Sequence, residues 1–348
     1  MRSQFIHRYF SSILPVALVL VMVWVSGCET KNDKSEGQID TTVDSVGILT
    51  RAIMEDSTQA NLFMGRARIY LKNGNIDPAL RDLNQAIQLK PDNPYSYQML
   101  SDIYLILDQT DNSIASLKKA IKLNPDLVAS YLKLAEVYLI TDNPKAANQA
   151  ADEAIRIDRN HAESYYIKGI SLLESGDTAN SILNLQISVR LDTINFMSYM
   201  QLAAISVAQA DTLTAFYLTQ ALKIQPQEER ALFFLGMIYQ EQGKFQAAID
   251  KFKLVTEYYP NNKRAFYHLG YIYLAELSDY ESAKIEFQKA IELDPYYVEA
   301  VYNLGRAFEA SKDYKTARSY YKQSLELLPN YPLAVKGLNR LDDNGLGL

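Results

Sequence analysis

The amino-acid sequence predicts an all-α solenoid of about eight helical hairpins, with a capping helix at each end. Three observations carry this prediction: similar residues recur about every 34 positions, apolar residues between them follow helical spacing, and prolines or glycines separate the segments. Of the 348 residues, 48% are apolar and 22% are charged, the balance of an ordinary folded protein. Because repeats bury their apolar surface against their neighbours, the repeat pattern decides the architecture.

Columns of similar residues divide the chain into copies. A mostly aromatic column contains Tyr70, Tyr104, Tyr138, Leu172, Ser206, Tyr239, Tyr273 and Phe308. A column of prolines marks the ends of most copies at Pro91, Pro125, Pro226, Pro260, Pro295 and Pro329. In this register we count eight copies, which begin at Ala60, Pro94, Val128, Ala162, Phe196, Glu229, Lys263 and Val298. The spacing of the columns departs from 34 residues at two steps. Both departures fall in the turn regions between paired helices, where a change of length disturbs little packing.

Each copy is predicted to be a pair of helices. Leu232, Leu235 and Tyr239 follow one another at steps of three and four, which places them on one helix face. A small residue such as Gly236 follows the leucine and permits close approach of the paired helices. The turns between helices are expected at glycines suited to a left-handed backbone, namely Gly74, Gly176 and Gly243. The prolines end the second helices, because a helix interior does not accept the ring.

The order and period of these residues resemble the tetratricopeptide repeat (TPR). The copy at 298–331 fits best, with Leu304-Gly305, Phe308, Ala317, Tyr321 and Pro329. The resemblance covers residues 60–331 and implies a right-handed α-solenoid that binds other proteins. The flanking segments 43–59 and 332–348 are predicted to be an N-terminal capping helix and a C-terminal capping helix with a tail, since an uncovered end would expose apolar surface.

Residues 1–27 have the layout of an export signal. Arg2 and Arg8 precede the uncharged run 13–25, which is shorter than the roughly 20 apolar residues of a membrane-spanning helix. The run ends in Val25-Ser26-Gly27-Cys28, which resembles the bacterial lipobox. That resemblance implies a lipoprotein whose first mature residue is an acylated Cys28. The alternative is an uncleaved anchor in which Cys28 is a buried apolar residue.

Acylation of Cys28 would place the protein on a membrane through lipid. Each buried methylene contributes about 0.8 kcal/mol, so several chains on one cysteine hold a protein firmly. The polar segment 28–42 is predicted to be a flexible tether. Glu29 stands where an aspartate would retain some lipoproteins in the inner membrane. We therefore expect a location in the bacterial cell envelope, at the outer membrane, facing the periplasm or the cell surface.

The composition and motifs exclude several classes of function. The net charge of −6, from 35 basic and 41 acidic residues, repels phosphate backbones, so no nucleic acid is expected as a partner. Cys28 is the single cysteine, and His161 and His268 lie in different copies. The sequence contains no His-Glu-x-x-His, Gly-x-Ser-x-Gly or glycine-rich phosphate motif. We therefore predict no enzyme activity, catalytic residue, metal or cofactor, with both histidines in surface or packing roles.

The TPR resemblance implies that binding residues lie on the first helix of each pair, at its second, fifth, ninth and twelfth positions. Carried over, this predicts a partner-binding groove at Tyr166, Met200, Phe233, Met237, Tyr267, Tyr271, Tyr302 and Arg306. The N-terminal copies would present Met64, Arg68, Gln98 and Asp102. Aromatic and methionine side chains offer large contact areas to a peptide. The alternative is that the tyrosines serve packing between neighbouring copies.

Two hypotheses of function follow. In the first, the protein is a lipid-anchored scaffold or adaptor that binds protein or peptide ligands in envelope assembly, secretion or hydrolase recruitment. In the second, it is a glycan-binding outer-membrane TPR lipoprotein, although the only tryptophan, Trp24, lies in the signal. A homo-oligomer is compatible with either. Residues 162–228 depart most from the repeat pattern, which indicates either a hinge or tolerated variation in a packed array.

Overall fold

The computed structural model describes residues 41–346, so the predicted signal, Cys28 and most of the tether lie outside the described residues. Within this range the chain forms eighteen helices and no strand. They are α1 Thr41–Glu55, α2 Ala60–Lys72, α3 Ile76–Leu89, α4 Pro94–Ile106, α5 Thr110–Leu123, α6 Val128–Ile140, α7 Pro144–Ile157, α8 Ala162–Glu174, α9 Thr178–Leu191, α10 Phe196–Ala208, α11 Thr214–Ile224, α12 Glu229–Glu241, α13 Phe245–Tyr258, α14 Lys263–Ala275, α15 Tyr280–Leu293, α16 Val298–Ala310, α17 Tyr314–Leu327 and α18 Pro332–Asp343. The prediction of an all-α solenoid is confirmed, since consecutive helices pack as pairs.

The eight first helices, α2 to α16 in even numbers, begin at the residues from which the copies were counted. Each second helix ends two residues before the proline column where that column holds proline, as Leu89 does before Pro91. None of the described helices has the length and apolar character that a membrane span requires.

The described chain divides into two compact units. The N-terminal unit comprises residues 41–198, and the C-terminal unit comprises residues 199–346. The boundary falls inside α10, in the fifth copy. Each unit is described separately below.

The turn between paired helices contains a left-handed residue in all eight copies. Three copies use the predicted glycines Gly74, Gly176 and Gly243, with φ of 74°, 84° and 71°. The other five place a residue with a side chain there, with φ between 54° and 68°, at Asp108, Asp142, Ala210, Ser278 and Lys312. A left-handed backbone costs such a residue about 1–2 kcal/mol. The geometry of the helix pair therefore imposes the turn even where the sequence does not favour it.

The core of each hairpin depends on the eighth residue of its first helix. In the last three copies this residue is glycine, and a Cβ there would lie 2.8–2.9 Å from an aromatic ring of the second helix. The pairs are Gly236 with Phe252, Gly270 with Phe287, and Gly305 with Tyr321. Three copies with alanine at this position carry a smaller residue at the corresponding position of the second helix: Ala67 and Leu83, Ala135 and Ala151, and Ala203 and Leu218. Glycine thus faces an aromatic ring in the last three copies, where a larger residue would not fit between the paired helices.

A single helix packs on each end of the described array. In α1, Leu49 lies over Gly65 of α2, 3.5 Å from the position of a Cβ. In α18, Gly337 lies against the ring of Tyr321, and Leu341 is fully buried beside it. Both helices cover apolar surface that the terminal copies would otherwise expose.

Candidate interaction surface

The fifth and ninth residues of α12, α14 and α16 lie on one face of each first helix, because residues four apart are neighbours on a helix. We call this set the C-terminal face; it consists of Phe233, Met237, Tyr267, Tyr271, Tyr302 and Arg306. Met200 takes the corresponding fifth position in α10, also in the C-terminal unit. Tyr166 takes that position in α8 of the N-terminal unit, where it is buried.

The members of the C-terminal face differ in exposure. Phe233, Met237 and Tyr302 are buried, at 4%, 6% and 8% relative exposure, whereas Tyr267, Tyr271, Arg306 and also Met200 are partly exposed. The first three side chains therefore contribute mainly to packing between helices. The partly exposed side chains can contact a ligand without first being uncovered.

An aromatic cluster packs around Phe233 of the C-terminal face. The ring of His268 stacks on Phe252, with centroids 5.0 Å apart, and meets the edge of Phe233 at 5.4 Å. Its Nδ1 lies 3.0 Å from Oε1 of Gln240. Burial, with a smaller effect of Arg264, lowers the pKa of His268 to about 3. The ring is therefore neutral at physiological pH and serves packing.

One arginine lies beside Phe233, and a second belongs to the C-terminal face itself. The guanidinium of Arg264, at the second position of α14, lies 4.4 Å from the ring centroid of Phe233. Such a cation over an aromatic face is stabilised by about 0.5–2 kcal/mol. Arg306 donates from Nη1 to Oδ1 of Asn303 at 3.0 Å, and Nδ2 of Asn303 lies 3.3 Å from Oη of Tyr267. The C-terminal face thus combines aromatic surface with held positive charge.

The neighbouring arginine of α18 is already engaged. Nε and Nη2 of Arg340 each lie 2.6 Å from a carboxylate oxygen of Glu309, in a bidentate pair. Tyr321 also donates its hydroxyl to Glu309. Arg340 therefore ties the terminal helix to α16, and Arg306 is the cation of the C-terminal face.

The four residues predicted in the N-terminal copies lie in α2 and α4. Met64 is buried, and its Sδ accepts a hydrogen bond from Oγ of Ser96. Gln98 is buried and donates to Oγ of Ser130 at 2.9 Å. The remaining two are Asp102, which pairs with Nζ of Lys133 at 2.5 Å, and Arg68, which is exposed.

Two charged residues on the next first helix, α6, were not among the binding residues predicted from the sequence. Lys133 and Glu136 lie at the sixth and ninth positions of α6. Counting the ninth position in every copy would have found Glu136, whereas the ion pair of Lys133 has no sequence signal. In the part of the chain that the structure describes, no group of three or more His, Cys, Asp or Glu side chains is placed to hold a metal ion.

Family models of the tetratricopeptide repeat match the chain in both units. The matched residues are 60–93, 102–139, 235–298 and 272–332. The matches follow the register of the helix pairs, since the first begins at Ala60, the first residue of α2.

Solved structures with a similar fold include the C-terminal part of a TPR repeat-containing protein from Cytophaga hutchinsonii. It has a TM-score of 0.57 and 18% identity, and the match covers 69% of this chain and 98% of that chain. A MamA structure from Desulfovibrio magneticus RS-1 matches with a TM-score of 0.43 and 19% identity, over 49% of this chain and 96% of that one. At such identities the similarity concerns the fold alone.

Among curated proteins, the human protein O-mannosyl-transferase TMTC3 is 28% identical over 94 residues. The match covers 27% of this chain and 10% of that protein. The chain therefore spans about a tenth of the length of this relative.

Proposed function

This chain is a tetratricopeptide-repeat protein, and from that premise we propose that it is a scaffold whose C-terminal face binds a segment of a partner protein. The observation that carries the proposal is the side-by-side placement of Tyr267, Tyr271 and Arg306 on adjacent first helices, each partly exposed. Aromatic and arginine side chains dominate the binding energy of many protein interfaces. Tyr267 is supported by Phe287, which is fully buried and lies 5.8 Å away between ring centroids.

The partner segment contacts both aromatic and charged groups on this face. Its apolar side chains pack on Tyr271 and Tyr267, and a carboxylate or carbonyl group accepts hydrogen bonds from Arg306. Arg306 makes one hydrogen bond to a side-chain oxygen in the structure, which leaves several of its five N–H donors for a ligand.

Photocrosslinking tests this surface directly. We would replace Tyr271 with benzoylphenylalanine and, as a control, do the same at Tyr296, which is 78% exposed and lies outside the first helices. We expect a discrete protein crosslink at Tyr271 that is absent at Tyr296. Equal crosslinking at both sites would refute the proposed face, and a glycan product at Tyr271 would favour the glycan-binding alternative.

A charge reversal measures the contribution of Arg306. Arg306→Glu should weaken binding of the crosslinked partner at least about tenfold, because a charge-assisted hydrogen bond contributes about 1.5–3 kcal/mol. Lys315→Glu, at an exposed position of α17 in the same copy, is the matched control and should leave affinity unchanged. Equal affinities of the two variants would contradict the role of Arg306.

We further propose that the scaffold is held in the bacterial envelope by acyl chains on Cys28, in an assembly, secretion or hydrolase-recruitment role. The lipobox-like sequence before Cys28 supports this proposal. Cys28→Ser should abolish labelling by radioactive palmitate and release the protein from the membrane fraction, while Ser35→Ala in the tether should do neither. Palmitate labelling of the Cys28→Ser protein would show that the lipid assignment is wrong.

A further inference from the structure

The first helices of the N-terminal unit carry apolar side chains on their last turn. Leu105 and Ile106 end α4, Leu139 and Ile140 end α6, and Leu173 lies one residue before the end of α8. Ile106 and Ile140 are 45% and 40% exposed, and the three leucines are partly exposed. We call these five residues the apolar strip.

The first helices that carry the strip contact one another. Nζ of Lys133 in α6 lies 2.5 Å from Asp102 in α4, and Gln98 of α4 donates to Ser130 of α6. Helices α6 and α8 are also in contact. The three helices that carry the strip are therefore neighbours in the N-terminal unit, and the strip residues occupy the same turn of each.

A carboxylate without an ionic partner lies beside the strip. Glu136 precedes Leu139 and Ile140 by three and four residues, so the three side chains share one face of α6. With the residues that the structure describes, Glu136 makes no ion pair or hydrogen bond. Lys133, the nearby cation, is bound to Asp102. The next carboxylate, that of Glu163 at the start of α8, is exposed.

Keeping a charge at this position lowers the stability of the protein. Burial, followed by repulsion from Glu163, raises the pKa of Glu136 to about 7. Lys133 attracts this carboxylate and Asp102 repels it, but the attraction is smaller than the effect of burial beside apolar side chains. A cation supplied by a ligand would compensate for the lost hydration of Glu136 and would favour its ionised form.

We propose that this face of the N-terminal unit binds a segment of a partner protein that places a lysine or arginine side chain against Glu136 and apolar side chains on the apolar strip. The inference is independent of the proposed function, because it rests on other helices and on the opposite charge. An acidic segment is disfavoured by Glu136 and Glu163, since juxtaposed like charges oppose binding. A polyamine would satisfy the carboxylate but would leave the strip exposed.

The residues at the ninth positions of the other first helices are consistent with a basic partner segment. Arg68, the cation at the ninth position of α2, belongs to the first copy, two copies before Glu136. At the ninth position of α8 stands Ile170, which extends the apolar surface next to Glu136. The ninth positions of α6 and α8 therefore present one negative charge flanked by apolar side chains.

A displayed library of random dodecapeptides, selected on the immobilised full chain, tests the inference. We expect the selected peptides to share a lysine or arginine flanked by leucine or isoleucine. The best of them, as a synthetic peptide, should bind Glu136→Gln at least about tenfold more weakly than the unchanged protein, the factor expected for a lost charge-assisted hydrogen bond. Ile140→Ser, at an exposed position of the strip, should also weaken binding and does not depend on how Glu136→Gln folds.

Two controls separate this surface from others. Glu153→Gln removes an exposed carboxylate from α7 of the same copy, where it pairs with Arg156, and should leave peptide affinity unchanged. Arg306→Glu on the C-terminal face should also leave it unchanged, so failure here and failure of the proposed function are distinguishable. Selected peptides without a basic residue, no enrichment over bare support, or undiminished binding by Glu136→Gln would each overturn the inference.

Discussion

Replacing Gly270 with alanine tests whether the glycines of the last three copies are required by the aromatic rings opposite them. The added Cβ would lie 2.8 Å from Cδ1 and 2.9 Å from Cε1 of Phe287, closer than carbon atoms normally approach. Phe287 is fully buried, so its ring has little room to move. Overpacking costs about 1–3 kcal/mol, and alanine returns about 1 kcal/mol of helix propensity. We expect a net loss of about 1 kcal/mol.

The double variant Gly270→Ala/Phe287→Leu makes the test specific. Phe287→Leu alone should cost roughly 1–2 kcal/mol, because the smaller side chain leaves a cavity. In the double variant the new methyl group occupies part of that cavity, and the two residue types become those of Ala203 and Leu218 at the corresponding positions of the fifth copy. We therefore expect the double variant to be more stable than the sum of the single changes predicts, by at least about 1 kcal/mol.

Urea unfolding followed by circular dichroism at 222 nm measures the free energy of unfolding of the unchanged protein, the two single variants and the double variant. Ala203→Gly is the control: it should cost about 1–2 kcal/mol through helix propensity and the loss of a fully buried methyl group, without overpacking. Additive effects of Gly270→Ala and Phe287→Leu would refute the reasoning, because they would show that the two sites do not share space.

Three further predictions follow. First, the lowered pKa of His268, about 3 against an ordinary 6.5, means that the unfolded chain takes up a proton between these pH values and the folded chain does not. Stability should fall as the pH falls below 6.5, by up to about 1.4 kcal/mol per pH unit, and His268→Leu should remove this component of the pH dependence of unfolding. Second, the raised pKa of Glu136 means that its ionisation opposes folding above about pH 4.5, with the full effect above pH 7. Glu136→Gln should therefore be more stabilising at pH 8 than at pH 4 in thermal unfolding, and equal shifts at both would contradict the burial of that carboxylate. Third, Gly243→Ala should cost about 1 kcal/mol in urea although its Cβ would meet nothing within 4 Å, because φ is 71°. An unchanged midpoint would show that the turn relaxes.

The regular part of the fold was accessible from the sequence because its signals are local. The spacing of Leu232, Leu235 and Tyr239 reports a helix face, and a proline such as Pro295 ends a helix through its own ring. The left-handed turns were accessible only where glycine marks them, as at Gly243. At Lys312 the same backbone is imposed by the pairing of α16 with α17, which no local preference of lysine indicates.

The candidate surfaces were accessible only in part. Counting positions along the first helices predicted both Phe233 and Tyr271 as binding residues. In the structure, however, Phe233 is 4% exposed and Tyr271 is partly exposed. The difference arises from residues far away in sequence, since Phe233 is enclosed by Phe252 and by His268 of the next copy. Counting alone therefore does not separate a packing residue from a contact residue.

By itself, the sequence determined the repeat period, the helix starts and the places where helices end, because each depends on residues within one or two turns of chain. Only the tertiary structure decided which side chains on the first helices are buried, which charges are paired and which carboxylate lacks a partner. Lys133 of α6 pairs with Asp102 of α4 in the neighbouring copy, whereas Glu136 on the same helix as Lys133 makes no ion pair with any described residue. Exposure and charge pairing on the binding faces are therefore properties of the packed array and not of any single repeat.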